Sequence, residues 1–384
     1  MTKLSTFCIL PFTHLATHPQ GEVTACCESK LKFTNNGEVV KLGETPINEI
    51  RNSDTAKQIR QSMLEGKKHI ACDFCYSREL GGLESKRHRE NRKYNVKEEF
   101  LEKYKSLPLE SIELRLGNVC NAKCIICNPN SSSKWNEDAD KYLENNFDGG
   151  YAPKILPNTW FKDDSFYEDV FNNIDSVQHL WFNGGEPLLI KQHLSFLNKV
   201  VSTGYSKNIE LEYHTNGTLV TNKLIELWKN FKFVKITLSI DDVEDRFEYS
   251  RYPLKFNTVK NSIELLKENN IHYDIIPTIS LLNVFNITEI YRYYKDRYGK
   301  EVIYNYLKYP KFQSIINLPE ESKQGILKSV QLPEKLYKEL EFELYSSKGN
   351  SIKQALSFYS YLDKKRNLDI QETLPEFKLL KSLI

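Results

Sequence analysis

Residues 114–130, LRLGNVCNAKCIICNPN, place three cysteines within eight positions at the end of a β-rich run. Cys120, Cys124 and Cys127 are spaced C-x3-C-x2-C, and nothing else in the chain so narrows what it can fold into. Three thiols are one too few for a closed tetrahedral metal site. No further cysteine follows, and the next histidine is His179. Thiolates at this spacing suit iron–sulfur ligation or zinc. A cubane of four irons held by three cysteines keeps one iron open, as catalytic metal sites leave a position for substrate.

The remaining five cysteines, Cys8, Cys26, Cys27, Cys72 and Cys75, also lie in the first third of the chain. A disulfide framework would staple the whole length, so this crowding favours metal binding or thiol chemistry in a reducing compartment. The opening MTKLSTFCILPF lacks the apolar core and small-residue cleavage site of a secretion signal. A cytoplasmic protein is expected. Charged residues are 27% and hydrophobic residues 40% of the 384, with a net charge of +2. That balance gives no general attraction to nucleic acid or anionic lipid. No apolar run is long enough to span a bilayer.

From about residue 108, short β-rich runs alternate with amphipathic stretches. SIELRLG, VQHLWFNGG, NIELEYHTNG, FVKITLSIDD, YDIIPTIS and EVIYNYL read as strands. Between most of them lie helical patterns, and in TVKNSIELLKENN the residues Val259, Ile263 and Leu266 share one face. This alternation predicts an α/β fold, a partial (β/α)6 TIM-like barrel over residues 108–308. Residues 1–107 predict a small α+β domain, with two short strands around the PQG turn and a helix beginning near Asp54. Its run ESKRHRENRKYNVKEEF reads as a solvated helical linker. Extra helix is expected in SSSKWNEDADKYLENN, with an irregular loop around GGYAPKILPN. Residues 309–384 predict a helical tail packed on the barrel, with Pro333 in a first helical turn.

The cysteine loop after a β-strand resembles the signature of radical S-adenosylmethionine (SAM) enzymes. WFNGGEPLL carries Gly184, Gly185, Glu186 and Pro187, similar to that superfamily's GGEP motif at the second strand end. HTNGTLV carries Thr215, Asn216 and Gly217, resembling its third-strand TNG, and LSIDD offers Ser239 and Asp241, resembling the fourth-strand S-x-D. Arg251 matches the arginine that commonly follows and can pair with the SAM carboxylate. Asn283 is a weaker match. The superfamily often has an aromatic before the third cysteine; Ile126 stands there and supplies apolar contact to adenine without ring stacking. The resemblance implies that an open iron binds SAM and that an electron cleaves it to methionine and a 5′-deoxyadenosyl radical. That radical abstracts a hydrogen atom from substrate. Flavodoxin or ferredoxin is the implied electron donor.

Cys8, then Gly21-x4-Cys26, then Cys72-x2-Cys75 resemble the auxiliary-cluster modules called SPASM and Twitch. The further cysteines of a full SPASM domain are absent, so the resemblance implies a single auxiliary [4Fe–4S] cluster. A structural zinc on the same four thiolates is the alternative. The module precedes the barrel, whereas such modules generally follow it. Cys27 is a substitute ligand for Cys26, an inert buried thiol, or a hydrogen-atom donor to a substrate radical. The expected outcome is modification of a peptide or protein, as in the maturation of ribosomal peptides. Dehydrogenation or epimerisation of a sugar, aminocyclitol or nucleoside is the alternative. A non-catalytic iron–sulfur or zinc protein is the reading from another class.

Overall fold

The computed structural model describes residues 3–138 and 159–382. Seven strands form one sheet, β1 (His14–Thr17), β2 (Val23–Thr24), β3 (Ser111–Arg115), β4 (His179–Asn183), β5 (Glu210–Thr215), β6 (Phe233–Leu238) and β7 (His272–Ile275). Their order is β2-β1-β3-β4-β5-β6-β7. β1 and β2 form the antiparallel pair expected around the PQG turn. β1 then pairs in parallel with β3, aligning His14 with Ser111 and Ala16 with Glu113. The amino-terminal segment therefore extends the sheet that carries the barrel motifs.

Two-residue periodicity decides what each face does. Leu15, Ile112, Leu114, Leu180, Phe182, Leu211 and Tyr213 are buried and aligned across β1, β3, β4 and β5. The alternate positions carry His14, Glu113, Arg115, Trp181, Asn183, Glu212 and His214, so the opposite face is polar. Of the helices, α1 (Asp54–Leu64), α2 (Asp73–Leu80) and α3 (Lys86–Lys93) precede β3. α4 (Lys191–Ser202), α5 (Asn222–Trp228), α6 (Phe256–Glu268) and α7 (Ile287–Tyr298) fall where the sequence pattern puts them. α4 buries His193, Phe196, Leu197 and Val200, and α6 buries Phe256, Val259, Ile263 and Leu266, each set at helical spacing. Each such apolar side chain contributes roughly 1.5–3 kcal/mol of burial. α8 (Glu334–Tyr345), entered through Pro333, and α9 (Ile352–Arg366) lie in the carboxyl-terminal region.

Several expectations change. The fifth barrel run is split: Pro277 has no N–H to donate, and β7 stops at Ile275 before β8 (Thr278–Ile279). The sixth run holds only β9 (Asn305–Tyr306), paired with β8 in a ladder of its own. The extra helix expected over residues 131–146 is described as a single 3-10 stretch, Ser133–Asp138. Its remainder and the loop at 149–158 lie outside the described residues. The charged run after residue 84 is not a solvated linker. Arg87 in α3 is 3% exposed; it pairs with Glu79 and donates to the carbonyls of Leu4 and Phe7. A cation enters the interior here because every N–H it brings finds an acceptor.

By compactness the chain divides into two units. The first is Met1–Val119, Pro157–His214 and Lys223–Lys235, and the second is Cys120–Leu156, Thr215–Asn222 and Ile236–Ile384.

In the first unit His193 is wholly buried, Nδ1 against the Ile190 carbonyl at 2.5 Å and Nε2 at 3.1 Å from the Tyr213 hydroxyl. Burial lowers its pKa to about 4. The unfolded chain takes up that proton near pH 6.5. Stability from this group is thus fully present above pH 6.5 and lost as pH falls toward 4, by at most about 1.4 kcal/mol per pH unit. Burial depresses His14 and His18 too, so they add slope of the same sign. Denaturant titrations at pH 7, 6 and 5 should show stability falling with acidification, and a shallower fall in His193→Gln.

Candidate functional site

The cysteine loop lies at the start of the second unit and has no regular secondary structure between Asn121 and Ile125. Its backbone groups must therefore find partners elsewhere. The carbonyls of Ala122, Lys123, Cys124 and Ile125 accept, in turn, from Ser132 Oγ (2.6 Å), Arg366 Nη2 (2.9 Å), Trp135 Nε1 (3.1 Å) and Gln313 Nε2 (2.8 Å). The N–H groups of Lys123 and Ile125 donate to the carbonyls of Tyr252 (2.7 Å) and Ser250 (2.8 Å). With its backbone tied from several sides, the loop holds Cys124 buried and Cys120 and Cys127 half-buried. A hydrogen bond with Cys127 lowers the Cys124 thiol pKa, and the charges of Arg251 and Arg366 act in the same direction. Ile126 is buried beside them.

The TNG residues serve the same loop. Asn216 Nδ2 donates to Asn121 Oδ1 at 2.7 Å, Asn121 Nδ2 donates to Thr218 Oγ1 at 2.9 Å, and Thr218 donates back to Asn216 Oδ1. Thr215 Oγ1 accepts from the Gly217 N–H, and the Thr215 carbonyl accepts from the N–H of half-buried Ser239. Asp241 and Arg251 are buried and joined at two points, Nη2 to Oδ1 and Nε to Oδ2, both 2.8 Å. Oδ1 also accepts from the Thr278 N–H, and Asn283 Nδ2 donates to the Asp241 carbonyl. Asn121, Thr218, Gln313, Trp135 and Arg366 were not singled out by the sequence pattern. Gln313 and Arg366 lie 188 and 243 residues from their loop partners, and no local signal marks them.

In the first unit, Gly184 to Pro187 end β4 and lie on Gly117–Val119, the three residues before Cys120. Gly185 N–H donates to the Gly117 carbonyl and Glu186 N–H to the Val119 carbonyl. A β-carbon on Gly185 would sit 2.3 Å from the Val119 oxygen, so no side chain fits there. The Glu186 carboxylate is buried and caps Pro187–Leu189 by accepting from the Leu188 N–H.

The same unit holds a second thiol set. Cys8, Cys26, Cys72 and Cys75 line one small cavity, together with Lys86 and Arg87. Among the described residues no three Cys, His, Asp or Glu side chains converge closely enough for a single metal ion. A zinc ion needs its thiolates about 2.3 Å from one point. Thiols spread around a cavity instead suit a body of iron and sulfide between them. Burial raises all four thiols, and repulsion from neighbouring thiolates adds to this at Cys8, Cys26 and Cys72, which rises to about 12. Four such groups gain their anionic form only with a compensating cationic centre, so the donor set fits a cluster.

Cys27 is not among the cavity residues; its Sγ accepts from Lys86 Nζ at 3.0 Å. Burial raises the Cys27 thiol to about 12. Lys86 lies 4.8 Å over the Trp181 ring and 3.9 Å from Glu113 Oε2, and Asn183 holds the other Glu113 oxygen at 2.9 Å. Further along the polar sheet face, Lys235, His179 and His214 surround Glu212. Burial works against its charge, but those partners hold the carboxyl well below the usual range.

The family model described as the radical SAM superfamily matches residues 114–296, and that of the SPASM iron–sulfur cluster-binding domain matches residues 8–76. The cysteine-type anaerobic sulfatase-maturating enzyme of Clostridium perfringens strain 13 is 25% identical over 199 residues, 50% of this chain and 49% of that protein. Its counterpart in strain ATCC 13124 is 24% identical over the same length. The chain thus spans about half the length of the curated relatives it matches. Among solved structures, native anSMEcpe with bound AdoMet superposes with a TM-score of 0.43 at 18% identity, over 58% of this chain and 59% of that one. Streptococcus suis SuiB bound to S-adenosylmethionine gives 0.33 at 16% identity, over 65% and 50%.

Gly185→Ala should cost about 1–3 kcal/mol in denaturant unfolding, because main chain must move to admit the methyl group. Gly325→Ala, with nothing within 4 Å of the added carbon, should be neutral or slightly stabilising and serves as the control.

Proposed function

Because the chain carries a radical SAM domain over residues 114–296 and, ahead of it, an SPASM iron–sulfur cluster-binding domain over residues 8–76, we propose that it modifies a peptide or protein residue by SAM-dependent hydrogen-atom abstraction. Cys120, Cys124 and Cys127 would hold the cluster that binds SAM. The observation that carries this reading is that the second unit contains these three cysteines and no other, so the loop offers three thiols and leaves a position open. When bound, the cluster supplies the electron that splits SAM into methionine and a 5′-deoxyadenosyl radical. The protein's own part is placement. Asn216 and Asn121 fix the loop, Gly184, Gly185, Glu186 and Pro187 brace the strand that leads into it, and Ile126 gives an apolar surface for adenine. Ser239 offers a half-buried hydroxyl, and the Asp241–Arg251 pair puts a guanidinium beside Cys124.

Cys8, Cys26, Cys72 and Cys75 would hold the auxiliary cluster, with Cys27 outside the set. A peptide substrate is favoured because the curated relatives mature a sulfatase. A flavodoxin- or ferredoxin-type donor would supply electrons. No helix of the described residues is long and apolar enough to cross a membrane.

Cys27 supports a second outcome, epimerisation. Its S–H hydrogen would pass to the substrate radical, leaving a thiyl. One electron from the same donor and one proton from Lys86 would restore the thiol. In D2O this route places one deuterium in the product, and Cys27→Ala ends that; net oxidation places none.

Anaerobically reconstituted protein should hold about eight irons, two cubanes' worth. Cys124→Ala should retain about four and form no 5′-deoxyadenosine with dithionite and SAM. A variant that still cleaves SAM would show that the loop has been misassigned.

A further inference from the structure

The loop's carbonyls draw two of their four side-chain donors from beyond residue 296, where the radical SAM match ends. Arg366, the last residue of α9, is one of them. Its Nη2 donates to the Lys123 carbonyl, one residue before Cys124. Its guanidinium lies over the Tyr252 ring at 4.6 Å and near the Trp135 ring at 5.9 Å. Both aromatic residues also hold the loop, Tyr252 through its carbonyl and Trp135 through its indole N–H. The Arg366 Nη1 atom is buried with no hydrogen-bond partner.

The end of α9 is fixed by four further ties. Tyr361 donates to Asp138 at 3.0 Å, and Lys365 and Lys123 both pair with that buried carboxylate. Tyr359 donates to Gln313, which in turn holds the Ile125 carbonyl. Tyr249 donates to Asp363 at 2.8 Å. The guanidinium of half-buried Arg366 is therefore anchored through its helix, and two aromatic rings lie against it. A fixed, half-buried cation acts on a nearby charge more strongly than a fully solvated one.

From this arrangement we infer that Arg366 is a positioning and charge-compensating residue for the cluster of the three-cysteine loop. Its Nη2 bond sets the backbone at Lys123, and its charge stabilises the reduced, more negative cluster. The inference rests on the cluster assignment proposed above. Hydrogen bonds and charge near cluster sulfurs are established determinants of reduction potential.

The test is an EPR redox titration of the reconstituted full chain, following the signal that changes when SAM is added. Arg366→Gln should keep its iron but show a reduced-to-oxidised ratio about tenfold lower at fixed potential, equal to about 59 mV for one electron. Arg366→Lys, which keeps the charge and loses the planar fork, should titrate like the parent. A Gln variant with the parent's potential overturns the inference. If the Gln variant does not fold, a Lys variant shifted negative overturns it equally, since charge would then not be what matters. Failure of the cluster assignment looks different: the parent itself would show no SAM-sensitive signal, and Cys124→Ala would retain all of its iron.

Discussion

A loop with neither helix nor strand cannot satisfy its backbone from regular structure of its own. Between Ala122 and Ile125, three carbonyls and two N–H groups lack the neighbours that a helix or strand would give them, while the Cys124 carbonyl also accepts from the Cys127 N–H. Leaving each unpaired in the interior would cost about 1–3 kcal/mol. Four side chains and two backbone carbonyls complete the set, and they come from the following turn, from Ser250 to Tyr252, from Gln313 and from Arg366. The second unit is organised around that requirement. The carboxyl-terminal region is helical as expected, and α9 delivers an arginine to the Lys123 carbonyl.

Much of this architecture was readable in the order of residues. Strand period, helical period and strand-end motifs locate β3 to β6 and helices α4 to α7 because each of those signals is local. The fifth barrel run divides into β7 and β8 for a local reason as well, since Pro277 interrupts it. What the pattern does not disclose is long-range pairing. Nothing in HLAT says that it will lie parallel to SIELR, 97 residues away, because a short apolar run carries no address. The joining of Gln313 and Arg366 to the cysteine loop is hidden for the same reason.

The charged run after residue 84 illustrates the opposite error. Composition alone makes KRHRENRK a solvated helix, and most of its residues are exposed or half-buried. Yet Arg87 is enclosed by Glu79 and two carbonyls, and Lys86 by Cys27, Glu113 and the face of Trp181. Helical geometry sends two adjacent residues inward only where a dense set of acceptors awaits them. Those acceptors belong to Leu4, Phe7, Cys27 and Glu113, which the local sequence does not show.

The two thiol sets share one electrostatic solution. Buried thiolates repel one another and resist ionisation, as the raised Cys8, Cys26 and Cys72 show. In the first unit Lys86 and Arg87 line the cavity the four thiols enclose. In the second, the charges of Arg251 and Arg366 both act on Cys124. Each set thus has two basic residues built in beside it, and each basic residue is anchored by bonds of its own: Arg87 by Glu79, Lys86 by Cys27, Arg251 by Asp241, Arg366 by the Lys123 carbonyl. A surface cation would be screened by salt and solvent. Anchoring it in the interior makes its charge a fixed property of the site, and that is the condition under which it can stabilise an anionic cluster.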